Sequence, residues 1–210
     1  MTALPPPGGP PPAPPDEREA PMHDLIARGE FDQATERTIR LYGPELIAWL
    51  CAMLPGEADA HDAFSRMSEQ LWRSLQQFDG RCSLRTWCYM LARQAAFHVR
   101  TRPRHQREVL LATVPSLLGA VTYVWNTSRG VEQQATSVYA EIRSELDDDD
   151  QTLLVLRVDR NLAWRDIAIV MLGESADPDA VTRKAASLRK QFERVKQRLR
   201  ELAAGRLGGG

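Results

Sequence analysis

The chain has 210 residues, a formal net charge of −1 and 43% hydrophobic residues, which suits one or two small soluble domains. No apolar run reaches the roughly 18–20 residues of a membrane span, and the N-terminus lacks the basic start and apolar core of a secretory signal, so no membrane insertion is expected. Cys51, Cys82 and Cys88 are odd in number and lie in apolar or helical contexts, which reads as reduced thiols in a cytoplasmic protein. The near-neutral total hides basic clusters around residues 93–107 and 183–200 and an acidic run at Asp147–Asp150. A nucleic-acid binder needs a basic patch, not a basic total.

Residues 1–22 are rich in proline and glycine and read as a disordered, solvated tail. A first helical domain is expected over residues 23–104. His23–Arg28 reads as a short helix ended by Gly29, and Phe31–Tyr42 as a second. Pro44 fits the first turn of a third, with Leu46, Ile47, Leu50 and Leu54 on its apolar side. Pro55-Gly56 breaks it, and a further helix runs from Asp59 to about Leu75 on Ala60, Ala63, Phe64, Met67 and Leu71. His61 and His98 have no partner at zinc-ligand spacing. Asp59 and Asp62 have no base, nucleophile or phosphate loop beside them and suit a helix start. No metal, no cofactor and no catalysis are expected.

Phe78 to Arg104 is the most informative stretch. Asp79-Gly80-Arg81 reads as a turn, and Ser83 stands where an N-cap belongs. Leu84, Trp87, Cys88, Leu91 and Ala95 form one buried stripe. The other side carries Arg85, Tyr89, Arg93 and Arg100, and no acid lies between Arg81 and Arg107. Such a face neutralises phosphates and stacks on unpaired bases; the plainer reading is an amphipathic helix with a solvated basic side.

Residues 105–138 read as a linker, unusually apolar between Leu110 and Trp125, a partly buried helix holding the domains together. A second domain is expected over 139–204, followed by a flexible Gly-rich tail at 205–210. Asp147–Asp150 reads as a solvated cap before a helix at Gln151–Val158, Asp159-Arg160-Asn161 as a turn, and Leu162–Ala168 as the start of a helix that stops at Gly173. Asp177-Pro178 is an N-cap followed by proline. From there Val181, Ala185, Leu188, Phe192, Val195, Leu199 and Leu202 make a long apolar seam. The order of helix, turn and basic helix is a helix-turn-helix arrangement, and a coiled-coil dimer is the alternative for the seam.

The run at Phe78, Gly80, Ser83, Leu84, Arg85, Thr86, Trp87, Ala92 and Arg93 resembles the promoter-melting segment of bacterial RNA polymerase sigma factors, most closely the extracytoplasmic-function group. Asp59–Asp62 followed by Trp72-Arg73 is similar to the segment that docks on the polymerase clamp, and residues 156–173 and 194–202 resemble the part that reads the −35 element. The resemblance implies an all-α protein of two small domains, a region 2 helical bundle and a region 4 helix-turn-helix. It implies core RNA polymerase (clamp of β′, flap of β) and promoter DNA as partners, and allows an anti-sigma factor.

By the same resemblance, polymerase binding falls to Asp59, Asp62, Arg66, Glu69, Trp72 and Arg73. The −10 strand falls to Phe78, Asp79, Gly80, Arg81, Ser83, Arg85, Thr86, Tyr89, Arg93 and Arg100, with a flipped base held at the Phe78–Ser83 turn. The −35 duplex falls to Arg165, Thr182, Arg183, Lys184, Ser187, Arg189, Lys190 and Arg194. Two registers of the reading helix stay open, one starting at Asp177 and one nearer Ser187. Ser65-Arg66 departs from the family's Gln-Glu. That departure leaves a helix-turn-helix regulator or a sigma-like adaptor without promoter opening as the alternative function.

Overall fold

The computed structural model describes residues 16–101, 119–124, 145–173 and 177–207, and among them all regular structure is helical. Residues 1–15, most of the expected linker and the start of the expected second domain lie outside the described residues. No helix among the described residues is long and apolar enough to cross a membrane.

A 3₁₀ turn at Glu17–Glu19 leads into α1 (Ala20–Ala27). The expectation of disorder through residue 22 is corrected here. Asp16 caps the turn by accepting from the Arg18 N–H at 3.0 Å, and Glu19, Met22 and Leu25 are buried. The proline tract sets the composition of the tail, but these residues have tertiary partners to hold them.

Helix α2 spans Phe31–Met53 without a break, where two helices were expected on either side of Gly43-Pro44. Proline inside a helix costs about 3 kcal/mol, because it lacks a donor and crowds the preceding turn. Tyr42, Leu46, Ile47, Trp49 and Leu50 are all buried around it, and at roughly 1.5–3 kcal/mol per large side chain their burial outweighs that local cost.

Helix α3 (Glu57–Ser74) buries Ala60, Ala63, Phe64, Met67 and Leu71, and a 3₁₀ turn follows at Leu75–Gln77. Helix α4 is Leu84–Thr101. Ser83 caps it as its position predicts, accepting from the Thr86 N–H at 3.0 Å, and the stripe from Leu84 to Ala95 is buried. Of the apolar linker, residues 119–124 are a helical segment with Ala120, Val121 and Val124 buried. Val124 lies over Gly43, where an added Cβ would stand 2.5 Å from its Cγ2. Arg40 covers the Tyr123 ring at 4.9 Å.

Helix α5 (Asp148–Leu154) is capped by Asp147, which accepts from the Asp150 N–H at 2.8 Å. It widens into a π-helical turn at Val155–Asp159. Asn161 makes the corner with φ 52°, a left-handed conformation that asparagine tolerates better than most residues. Helix α6 (Trp164–Leu172) ends at Gly173, φ 89°. Helix α7 is Pro178–Leu207, so it extends into the expected tail. Asp177 accepts from the N–H groups of Asp179 and Ala180 at 2.8 and 3.0 Å, which gives the register that starts at the proline.

Trp164 of α6 meets Phe192 of α7 edge-on at 5.4 Å, and Leu146, Leu154 and Val195 form a small cluster between α5 and α7. Helix α4 packs on α2 and α3 on one side and on α6 on the other. One continuous apolar cluster therefore runs from α1 through α4 to α7.

Candidate nucleic-acid interface

Gly80 has φ 73° and open space where a side chain would be, so the Phe78–Ser83 turn can be tight. Asp79 accepts from the Arg81 N–H at 3.1 Å and pairs with its guanidinium. Phe78 packs edge-on against Trp87 at 5.5 Å.

A helix N-terminus offers unpaired N–H donors, and those of α4 are already taken. Glu19, 1% exposed, accepts from the N–H groups of Leu84 and Arg85 at 3.0 Å each and from the Tyr42 hydroxyl at 2.7 Å. Ser83 takes the Thr86 N–H, and the Ser83 carbonyl takes that of Trp87. A base held at this turn must therefore use other groups than α4's first donors. Burial, with Glu19 adding, pushes the Tyr42 hydroxyl well above its ordinary pKa. Nothing in the sequence marked Glu19, because its partners lie far along the chain.

The cations of α4 are engaged. Arg85 makes a two-pronged pair with Glu45 at 2.7 and 2.8 Å. Arg93 pairs with Asp149 at 2.7 Å, and Arg100 with Asp148 and the Met53 carbonyl. Tyr89 is a correction to the expected open face: it is fully buried, edge-on to Trp49 at 5.8 Å, with burial raising its hydroxyl pKa. Thr86 is buried too. Arg165 of α6 donates to the Arg81 carbonyl at 3.1 Å, closing a cleft of about 50 Å³ lined by Asp79, Cys82, Trp87 and Val181. Burial pushes the Cys82 thiol up to about 12. Asp166 is 8% exposed; its pKa is raised by burial and held back by Arg165 and the Thr86 hydroxyl.

On α3, Asp59, Asp62, Arg66 and Glu69 are half-buried and Arg73 is exposed, paired with Glu69. Trp72 donates to Asp32 at 2.6 Å, tying the end of α3 to the start of α2 beside an open cleft of about 480 Å³.

Helix α7 is arranged differently. Thr182, Arg183, Ser187, Arg189, Lys190 and Arg194 are exposed and Lys184 is half-buried, while Val181, Ala185 and Leu188 face inward. A cleft of about 550 Å³ runs between α6 and α7, lined by Arg157, Arg165, Thr182 and Arg189. Arg157 sits over Trp164 at 4.8 Å and donates to the Leu162 carbonyl at 2.9 Å. It is a further cation of this surface that the sequence reading did not single out.

Comparison with curated proteins and with solved structures finds no match. The family model of Sigma-70 region 2 matches residues 38–105, less than half of the chain, from within α2 to just past the end of α4. The turn, the capped helix and the paired arginines of α4 fall inside that span, so this part of the chain is similar to Sigma-70 region 2 domains.

Proposed function

We propose that the chain is a sigma factor of the extracytoplasmic-function type. Helix α3 binds the clamp of core RNA polymerase through Asp59, Asp62, Arg66, Glu69, Trp72 and Arg73. The turn and α4 capture the non-template strand of the −10 element, and α6 and α7 read the −35 duplex. The chain catalyses nothing; binding energy opens the DNA, and two modest contacts on one tether gain through effective concentration.

The observation that carries this reading is the region 2 match over residues 38–105, which contains the Phe78–Arg93 run. Support for the duplex-reading part comes from the exposed cations of α7 beside a helix-turn-helix corner. Residues near the start of such a helix enter the major groove, which favours Thr182, Arg183 and Lys184, then Ser187, Arg189, Lys190 and Arg194.

Core polymerase, the chain and sheared genomic DNA are incubated with nucleotides, and the 5′ ends of the transcripts are sequenced. Discrete starts sharing −35 and −10 motifs are expected. Duplex binding with no starts favours a regulator or adaptor, for which the basic Arg66 in α3 is the supporting feature.

A further inference from the structure

The first donors of α4 are taken, so whatever holds a base at the Phe78–Ser83 turn comes from other groups around it. Stacking a base needs a ring that solvent can reach. Trp87 and Tyr89 are buried and offer none. Phe78 is half-buried, and Trp87 is not its only aromatic neighbour. The His23 imidazole lies 6.0 Å from the Phe78 ring, centre to centre, with the two planes 31° apart. His23 belongs to α1, ahead of the span that matches Sigma-70 region 2. Two features hold it in place. Met22 and Leu25 on either side of it are buried and fix α1 against α2. Glu19, four residues earlier, faces the imidazole with 3.5 Å between Oε2 and Nε2, while the same carboxylate caps α4. The His23 side chain is nonetheless 41% exposed.

We infer that His23 and Phe78 together form a stacking wall for an unpaired base, with His23 a base-contacting residue supplied from outside the region 2 segment. This rests on the proposed role of the turn. The ligand is single-stranded DNA, because every base has a π-face to stack and a duplex keeps its bases inside the helix. Glu19 makes the wall rigid: one carboxylate ties the start of α4, the Tyr42 hydroxyl and the imidazole together. A wall already fixed when the strand arrives loses less conformational freedom on binding. Gly80, two residues beyond Phe78, has open space where a side chain would stand and leaves the turn unobstructed. The Glu19–His23 contact is long and reaches a part-exposed ring, so it contributes little to stability. Loss of His23 therefore separates binding from folding.

The test compares His23→Gln, which keeps a polar group toward Glu19 and loses the ring, with His23→Phe, which keeps a ring and loses that contact. Core polymerase carrying the full chain is titrated with a fluorescent single-stranded DNA pool of random sequence. Core polymerase alone gives the background, and urea melts read folding. His23→Gln should weaken strand binding about tenfold, the worth of one stacked base, at an unchanged melting midpoint. His23→Phe should recover most of that loss. His23→Ala replaces the glutamine variant if that one no longer melts cooperatively, with the same loss expected. Wild-type affinity in every variant would overturn the role of His23 and leave the proposed function standing. A phenylalanine variant no tighter than the glutamine one would overturn stacking as the means of contact. A wild-type chain that adds no strand binding to core polymerase would overturn the role of the turn itself, and the part of His23 with it.

Discussion

Two basic helices, α4 and α7, look alike in sequence and have opposite surroundings in the fold. Each has an apolar seam and a row of cations, arginines on α4 and both arginines and lysines on α7. On α4 the cations meet carboxylates and the helix is covered on nearly every side, with Leu84 and the residues from Thr86 to Ala92 all buried. On α7 the seam alone is covered and the cationic side faces solvent. The lesson is about range: periodicity within a helix tells which side is apolar, but not whether another part of the chain brings acids to the polar side.

The comparison breaks most visibly at the core. Trp87 is 4% exposed and packs on Phe78, so Trp87→Ala should cost about 3–5 kcal/mol. The exposed Arg194→Ala on α7 should change stability by less than about 0.5 kcal/mol. Urea melts of both variants give the two numbers, and equal losses would mean that α4 is no more buried than α7.

Glu19→Ala comes next. It strips the acceptor from two helix N–H groups and from the Tyr42 hydroxyl, a loss of about 2–4 kcal/mol at a buried site. The same melts check it, and a wild-type midpoint would show that water replaces the carboxylate.

On α7 the effect should be on binding. Reversing Lys184 and Lys190 to Glu should weaken duplex DNA binding and reduce the slope of log K against log salt by about two. Titrations at several salt concentrations read this, and an unaltered slope would remove α7 from the DNA.

The smallest effect concerns pH. Burial raises the pKa of Asp166, so the folded state binds its proton more tightly than the unfolded chain does. Its contribution is therefore favourable at low pH and is lost as pH rises through the raised value. Asp166→Asn should raise the melting temperature at pH 7 and remove that part of the pH dependence. A lower midpoint at pH 7 would mean that the ionised carboxylate stabilises the contact.

What was legible in the sequence is what local chemistry decides. Ser83, Gly173 and Asp177-Pro178 mark helix ends because caps and stops act within a few residues, and the region 2 run was legible because its wording is specific. Long-range packing decided the rest. Pro44 predicts a break, and burial of its neighbours overrides it. Glu19 sits next to a proline tail, yet caps a helix far along the chain. Asp148 and Asp149 read as part of a solvated cap; they are exposed residues of the first turn of α5, behind the Asp147 cap, and are also the partners of Arg100 and Arg93.

The proposed function requires α4 and its turn to capture a single DNA strand. Permanganate footprinting tests this most directly, on a promoter fragment recovered from the start-site experiment, with core polymerase and the chain together. Reactive, unpaired thymines are expected across the −10 element with the chain present and none with core polymerase alone. A fragment bound at its −35 element but unreactive at −10 would contradict it.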